Sequence, residues 1–546
     1  MDKSRTKQSF LKGTLILSAA ALIVKVIGAI FKIPLMNILG GDGMGYFSTA
    51  YDLYMPVYVL STAGLPVAIA RVVAEFSSQK RFLDVKKTLR IANLTFFVTG
   101  LLGFCAMFFG ARFFVSTIDN PGAYLAVMAM APTVFFVCLT SAYRGYYQGL
   151  QNMYPTAISQ VVESVVKLVL GLGLSMWIYQ AGMAGFAETG KVFDNVASDP
   201  ENARLITLQY AAAGAIVSVA LGSFFGMLSV FFHHKFKGDR ITPEELAAPQ
   251  ETISGKGIFR RVIRIAIPIA LGSMVGQLTG IIDLWSVLNR LGFAVDQNFG
   301  AIQAMYGDAL PAGKLLSSIP NYLNGCYKGM AVTLYNLIPT FTVAMGVSAL
   351  PTITVAWSTK NTDELRRGVE SVLRVTLLFA LPAGLGMSVL SRQILTLLYG
   401  GRPEEVAIAA PLLTLLGLAV IFASACSPIN SMLQAVGHAD LPVKIMVVCA
   451  SIKLATNYIL VGIPEINIRG AAIGTLVCYI LIMTISLFFL FRITKIRPNY
   501  KTTFIRPALS ALLCAGAAYG VCRLLETHFG NTISTIGGMA VGGVVY

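Results

Sequence analysis

Two lysines stand inside a long apolar stretch near the start of the chain, where a positive charge is costly. Lys25 and Lys32 lie seven residues apart, so two helical turns place them on nearly the same face of a helix. Lys25 lies about 18 Å along the axis of that helix, too deep for its ammonium to reach an interface easily. We expect Lys25 to line a cavity that receives an anion, with a structural partner as the alternative. For Lys32, nearer the outer end, snorkelling and function both remain open.

Further charged residues lie within the apolar runs. Glu163 and Lys167 have the i,i+4 spacing with the acid first, which predicts a self-neutralising structural pair, with a gating pair as the alternative. Lys453 has Cys449 where that acid would stand, so Asn457 or another helix must satisfy its charge. Lys328 is either interfacial or directed at a central cavity.

Two aspartates, Asp52 and Asp283, fall near the predicted outer ends of their runs. A hydrated interface explains both, and ion coordination is the alternative reading. The sequence contains no GxSxG, P-loop or HExxH motif and no large loop for paired carboxylates. We therefore expect no catalytic residue, no metal site, no bound cofactor and no enzyme activity.

The composition requires a membrane. Hydrophobic residues make up 55% of the 546 residues and charged residues only 12%, and the mean hydropathy is +0.71. About 20 apolar residues span a bilayer as a helix. Fourteen apolar runs follow one another, at 13–39, 43–74, 89–115, 121–147, 155–180, 205–232, 262–289, 324–357, 369–397, 405–433, 443–463, 466–492, 505–525 and 532–546. The last is short for a bilayer, which predicts a partial helix or a fragment.

The loops predict the orientation of the chain. Loops on the side of the N-terminus carry twenty-seven Lys and Arg residues, against nine on the other side. Cytoplasmic loops are the richer ones in such proteins, so we expect a cytoplasmic N-terminus. The net charge of +16 then reflects topology and contact with membrane lipids, and we expect no nucleic-acid partner.

An internal repeat divides the predicted spans. Gly64-Leu65-Pro66 matches Ala349-Leu350-Pro351, and Lys167 matches Lys453, at an offset of 285 or 286 residues. We expect two parallel six-helix lobes. The predicted divisions are an N-terminal lobe at 1–234, a cytoplasmic linker at 235–261, a C-terminal lobe at 262–497, and two additional helices at 498–546.

Four short motifs resemble one protein family. They are VKVIGAIFKIPL at 24–35, STAGLP at 61–66, RGYYQG at 144–149 and IAIP at 265–268. Together they resemble the stage V sporulation protein B-like polysaccharide biosynthesis proteins of the multidrug/oligosaccharidyl-lipid/polysaccharide (MOP) exporter superfamily, which also contains the lipid II flippases. The resemblance implies two six-helix lobes around a central cavity, with a lipid-tail groove at the last two helices.

The same resemblance implies a function. It implies a flippase for undecaprenyl-pyrophosphate-linked sugars such as lipid II in a bacterial cytoplasmic membrane, with Lys25, Lys32 and Lys328 as substrate-binding residues. Lipid II flippases typically carry arginines in the first, second and eighth helices, and this chain departs from that pattern. A coupling ion or the membrane potential would drive the cycle, and cell-wall synthesis enzymes are the expected partners. A cation-coupled multidrug exporter and a membrane glycosyl-polymerase or ligase are the alternatives.

Overall fold

The computed structural model describes residues 10–62, 64–239, 241–310 and 315–546. The chain divides into two compact units. Unit 1 comprises Met1–Leu39 and Tyr46–Leu284, and unit 2 comprises Gly40–Gly45 and Trp285–Tyr546. The predicted lobe boundaries at 1–234, 235–261, 262–497 and 498–546 stay a prediction.

Unit 1 is built from long helices whose apolar composition suits lipid on the outside. They are α1 (Phe10–Thr62), α2 (Leu65–Ser78), α3 (Phe82–Thr117), α4 (Tyr124–Gly149), α5 (Tyr154–Thr189), α6 (Pro200–Lys237), the short α7 (Pro243–Ala247) and the first part of α8 (Gly255–Tyr306). A short hairpin joins α5 to α6, and its strands, β1 (Lys191–Val192) and β2 (Asn195–Val196), have two residues each.

Unit 2 continues from the second part of α8. Its helices are α9 (Ile319–Cys326), α10 (Val332–Tyr335), α11 (Leu337–Ser358), α12 (Thr362–Val389), α13 (Ser391–Tyr399), α14 (Pro403–Ala435), α15 (Asp440–Val461), α16 (Arg469–Thr494), α17 (Arg506–Glu526) and α18 (Asn531–Val545). A π-helical segment, Tyr327–Ala331, separates α9 from α10.

Ten helical stretches of the described chain are long and apolar enough to cross a membrane. The first of them, Ala19–Ser78, contains two of the predicted runs. The seventh, eighth and last runs are helical as well, in α8, in α9 to α11 and in α18. The chain is therefore an all-α, multi-pass membrane protein.

The second predicted run contains two prolines, and it breaks beside Pro66, whereas Pro56 lies within α1. Helix α1 ends at Thr62, and α2 begins at Leu65 with Pro66 in its first turn, a position where the missing N–H of proline costs nothing. The eighth run is also interrupted, by the π-helical segment and by Asn336 between α10 and α11. Both long runs are thus shorter helices in series.

A glycine-rich segment bends α1. Gly40 has a φ of 61°, which favours glycine because a side chain is strained there. The segment Gly40–Gly45 belongs to unit 2 and packs closely on α9. A Cβ on Gly41 would lie 2.6 Å from the Tyr322 ring, and the Asn321 amide donates to the Asp42 carbonyl at 2.9 Å. The segment Gly40–Gly45 therefore packs against residues that lie far from it in the sequence.

Glycines bring three of the four recognisable motifs together in unit 1. A Cβ on Gly64 would lie 1.9 Å from the carbonyl oxygen of Ala266 in α8. A Cβ on Gly145 in α4 would lie 2.7 Å from the carbonyl oxygen of Pro66. Because only hydrogen fits at these positions, backbones of α2, α4 and α8 approach each other directly. The Arg261–Glu75 ion pair, at 2.5 Å, adds a polar tie between α8 and α2.

Two buried aspartates hold the segment that follows α6 against unit 1. Asp239 accepts from Lys86 at 2.7 Å and from the Tyr146 hydroxyl at 2.5 Å. Asp84 pairs with Arg81 and accepts from the backbone N–H of Ile253 at 3.2 Å. Burial alone would raise the pKa of Asp239, but the hydrogen bonds from Lys86 and Tyr146 hold that pKa below its ordinary value. The aspartates therefore fix this segment to α3 and α4.

The two units repeat one packing scheme. In unit 1, α6 packs against α4 and α5, and α4 also packs against α2 and α3. In unit 2, α16 packs against α14 and α15, and α14 also packs against α11 and α12. Helices α4 and α14 therefore occupy corresponding places, as do α5 and α15.

Candidate functional site

A row of aromatic rings runs along α1 in unit 1. The centroids of Phe31 and Phe47 are 6.1 Å apart, and those of Phe47 and Tyr51 are 4.9 Å apart. Tyr51, Tyr54 and Tyr58 continue the row at 6.2 Å and 5.4 Å. A ring face carries partial negative charge, so such a row attracts cations without presenting a carboxylate.

Lys167 of α5 binds to this aromatic row. Its ammonium donates to the Tyr51 hydroxyl at 2.6 Å. The same nitrogen lies 4.9 Å from the centroid of Phe31 and 5.0 Å from that of Tyr51. Each of these groups is neutral, so the contacts orient the positive charge without cancelling it.

Arg144 of α4 and Glu163 of α5 form a second, linked arrangement. The Arg144 guanidinium donates to Glu163 at 3.1 Å and to the Ser159 hydroxyl at 2.9 Å. The other Glu163 oxygen accepts from Ser223 of α6 at 3.1 Å. Exposure is 13% for Arg144 and 28% for Glu163, so solvent screens this pair only in part. We call Arg144, Glu163, Lys167 and Tyr51 the polar cluster.

The polar cluster gives Glu163 and Lys167 further partners. Glu163 forms an ion pair with Arg144 and Lys167 donates to Tyr51, while the Glu163 carboxylate also interacts electrostatically with the Lys167 ammonium. Arg144 itself counts as a loop cation by sequence, yet it lies within α4, which extends to Gly149. The RGYYQG motif was the available signal, because it placed a cation beside a glycine that permits close helix packing.

The polar cluster carries more positive than negative charge. One carboxylate, Glu163, faces two cations, Arg144 and Lys167, and the remaining hydrogen-bond partners are hydroxyls. Such a set can attract an anion or hold a gate. Whether Glu163 and Lys167 act as gating or structural charges stays a prediction.

The first-helix lysines differ in their surroundings within unit 1. Lys25 is exposed on α1, whereas Lys32 is half-buried and follows the buried Phe31. The helix continues without a break from Lys25 to Lys32, so the two lie on nearly the same face, as predicted from their spacing. Phe31 links this part of α1 to Lys167 through the cation–π contact.

Unit 2 holds the other two predicted cations. Lys328 is half-buried in the π-helical segment Tyr327–Ala331, and its carbonyl accepts from the Thr333 hydroxyl at 3.1 Å. Single π turns inside helices frequently accompany functional sites. Lys453 is half-buried in α15. The binding role of Lys328 and the gating or structural role of Lys453 stay predictions.

The remaining predicted site residues, Asp52 of α1 and Asp283 of α8, are both half-buried in unit 1. Their predicted roles, interfacial or ion-coordinating, stay predictions. Across the described residues, His, Cys, Asp and Glu side chains form no group of three with the spacing of a metal site.

Comparison with known proteins gives two matching family models. The model described as "Polysaccharide biosynthesis protein" matches residues 10–357, and the model described as "Lipid II flippase MurJ" matches residues 330–538. The two matches overlap at residues 330–357, a stretch that begins at the end of the π-helical segment and includes α10 and most of α11.

Two curated relatives span nearly the whole chain. Stage V sporulation protein B of Bacillus subtilis (strain 168) is 23% identical, over 99% of this chain and 94% of its own. Lipid II flippase MurJ of the same organism is 24% identical, over 98% of this chain and 94% of its own.

Solved structures give the same fold. A lipid II flippase MurJ in an inward closed conformation has a TM-score of 0.64 at 14% identity, covering 97% of both chains. An inward-facing multidrug resistance MATE family transporter of the MOP superfamily has a TM-score of 0.58 at 14% identity, covering 88% of this chain and 95% of its own. At these identities the likeness concerns the fold.

Proposed function

The chain belongs to the polysaccharide biosynthesis protein family, and from this premise we propose that it moves undecaprenyl-pyrophosphate-linked sugars across the bacterial cytoplasmic membrane. It is a membrane exporter of the MOP superfamily. The proposed substrate is lipid II or a related cell-wall precursor, which the names of one relative and one matching family model support. Transport would occur without covalent chemistry, and cell-wall synthesis enzymes are the proposed partners.

The surplus positive charge of the polar cluster carries this proposal. Lys167 contacts the neutral groups Tyr51 and Phe31, Arg144 adds a second cation beside the single carboxylate Glu163, and Lys25 and Lys32 add cations on α1. A pyrophosphate is a compact dianion, and a Lys ammonium serves it as a point charge. An uncharged sugar would gain nothing from the surplus positive charge, and a cationic drug would be repelled by it.

The proposed cycle is alternating access with the N-terminus in the cytoplasm. The polar head of the lipid crosses past the cations while the prenyl tail stays in lipid. No bound cofactor is required. An inside-negative membrane potential favours outward movement of an anion by about 2.3 kcal/mol per charge per 100 mV. A coupling ion would add to this driving force.

The test uses the full chain reconstituted in liposomes with labelled undecaprenyl-pyrophosphate N-acetylglucosamine. We expect transport by the unaltered protein and a loss of at least about tenfold for Lys25→Ala. Lys25→Arg should retain part of the activity, because the positive charge matters here more than the arrangement of the N–H donors. Lys32→Ala should be milder. Lys237→Ala, which removes an exposed cation at the end of α6, is the matched control and should transport normally.

Two results would contradict the proposal. Full transport by a Lys25→Ala, Lys328→Ala double variant would show that the proposed binding residues are not needed. No transport of any polyprenyl-linked sugar, together with ion-driven export of cationic drugs, would establish the multidrug exporter instead. The fold shared with the MATE transporter makes that second assay necessary.

A further inference from the structure

Three arginines from separate helices line two adjoining cavities in unit 2. Arg392 lies at the start of α13, Arg469 is the first residue of α16, and Arg523 lies near the end of α17. All three belong to the loops that the cation count assigns to the outer side. The outer loops carry few cations. Three arginines around two adjoining cavities are therefore an unusual concentration of positive charge on that side.

The larger cavity, of about 550 Å³, combines two guanidinium groups with an apolar wall. Arg392 and Arg469 line it together with Ala407, Ala410 and Leu415 of α14, and its described lining contains no carboxylate. Guanidinium groups bind phosphate through paired N–H donors. Two arginines beside an apolar wall therefore suit a phosphate that is attached to a hydrocarbon chain.

The smaller cavity, of about 240 Å³, is polar and shares Arg392 with the larger one. Its lining includes the Gln393 amide, the Glu526 carboxylate and Asn531. Gln393 donates to Glu526 at 3.1 Å, which fixes both side chains. Amides and a carboxylate in fixed positions are suitable partners for hydroxyl groups.

We propose that these two cavities bind the head of a lipid-linked sugar on the outer side of the membrane. The phosphate binds Arg392 and Arg469, the first sugar enters the polar cavity, and the prenyl chain begins along Ala407 and Ala410. This inference rests on the proposed function for its substrate class. A phospholipid would satisfy the arginines and the apolar wall but would leave the polar cavity without a sugar, so the polar cavity favours the sugar-bearing lipid.

The test is native mass spectrometry of the full chain in detergent with undecaprenyl-pyrophosphate N-acetylglucosamine. We expect up to two bound lipids per unaltered chain, one at the proposed transport site and one at the outer cavities. An Arg392→Gln, Arg469→Gln double variant should lose one of them, with outer-site affinity lowered at least about tenfold. A Lys25→Ala, Lys328→Ala double variant should lose the other, so failure at either site is recognised separately.

Further variants distinguish a built site from general surface charge. Arg112→Gln removes an exposed outer-side cation of unit 1 and should leave both lipids bound. Ala407→Phe fills the exposed start of the apolar wall and should weaken the outer lipid without changing any charge. This variant also tests the site if the double arginine variant does not fold, as judged by its melting temperature. Arg392→Lys should retain part of the binding.

Three results would overturn the inference. The first is unchanged stoichiometry in both the double arginine variant and Ala407→Phe. The second is an equal loss in Arg112→Gln, which would indicate general attraction to positive charge. The third is complete displacement of the outer lipid by equimolar phosphatidylglycerol, which would make the site a phospholipid site. Inorganic phosphate should compete only weakly, because it lacks the chain and the sugar.

Discussion

Corresponding helices of the two units carry different chemistry. In unit 1, Arg144 of α4 pairs with Glu163 of α5. The spacing that relates Lys167 to Lys453 places Asn430 in α14 and Cys449 in α15 at the corresponding positions of unit 2. Cys449 is buried as a free thiol, and the Asn430 side-chain oxygen is buried without a hydrogen bond from the described residues.

The difference shows that the packing scheme does not require the ion pair. Helices α14, α15 and α16 pack as α4, α5 and α6 do, with neutral residues in place of the charged ones. Partly buried ion pairs are seldom the most stabilising choice, because desolvation offsets their attraction. We therefore expect the charges of unit 1 to serve transport and the neutral positions of unit 2 to serve packing.

The largest expected effect comes from breaking the pair on one side. Glu163→Gln leaves the partly buried Arg144 guanidinium without an anionic partner. We expect unfolding free energy to fall by about 3 kcal/mol, the lower end for a buried pair because Glu163 is 28% exposed. Chemical denaturation in detergent measures this loss.

A double replacement decides what the charges are for. Arg144→Asn with Glu163→Cys gives unit 1 the residues of unit 2 and leaves no uncompensated charge. Stability should recover most of the loss, while transport of the lipid-linked sugar should stay low. Recovery of transport along with stability would make the pair purely structural and remove the functional contrast between the units.

A smaller effect is expected at the glycine of the second motif. Gly64 corresponds to Ala349 in unit 2, but its missing Cβ would lie 1.9 Å from the Ala266 carbonyl. Gly64→Ala should therefore lower the unfolding free energy by about 2–3 kcal/mol through overpacking against backbone. Ala349→Gly in unit 2 is the reciprocal change and should cost only about 0.5–1 kcal/mol. Equal melting temperatures for the two variants would contradict the close approach of α2 and α8.

The smallest effect concerns two aspartates in different settings. Asp239 of unit 1 is 4% exposed beside Lys86, whereas Asp440 of unit 2 is 59% exposed beside Lys444. Asp239→Asn should lower the unfolding free energy at pH 7 by about 1.5 kcal/mol, a value reduced because Lys86 is 40% exposed. Asp440→Asn should leave stability unchanged.

The pH dependence of this difference has a definite sign. The folded-state pKa of Asp239 lies below its ordinary value, so its stabilisation is complete above about pH 4, the pKa of an unfolded aspartate. It is lost as the pH falls through the folded-state pKa. Melting curves of the unaltered protein and Asp239→Asn should therefore converge in acid. A constant difference at every pH would exclude the carboxylate charge as its cause.

Hydropathy and local spacing were enough to predict the fold class and most helices. The predicted runs at 121–147 and 466–492 illustrate the agreement, since α4 and α16 cover almost these residues. The break before Pro66 agrees with the preference of proline for a helix start, but Pro56 within α1 shows that this preference alone does not locate a break. Hydropathy and proline act through the nearby backbone, so the position of a helix can be predicted from a short stretch of sequence.

The partners of the charges were not readable in the same way. Glu163 and Lys167 have the i,i+4 spacing, but that spacing describes contacts within one helix and cannot predict Arg144 on a neighbouring helix. The aromatic row along α1 that receives Lys167 resembles any apolar helix in composition. Contacts between helices depend on rotation and register, which one sequence without its relatives does not specify.

The segment Gly40–Gly45 has a consequence for biogenesis. A ribosome delivers it to the membrane early, yet Asn321, whose amide binds the Asp42 carbonyl, follows 279 residues later. Until α9 is synthesised, the bend in α1 lacks the partner that fills the space beside its glycines. The contacts that surround the bend in the finished protein are therefore complete only after α9 has been made.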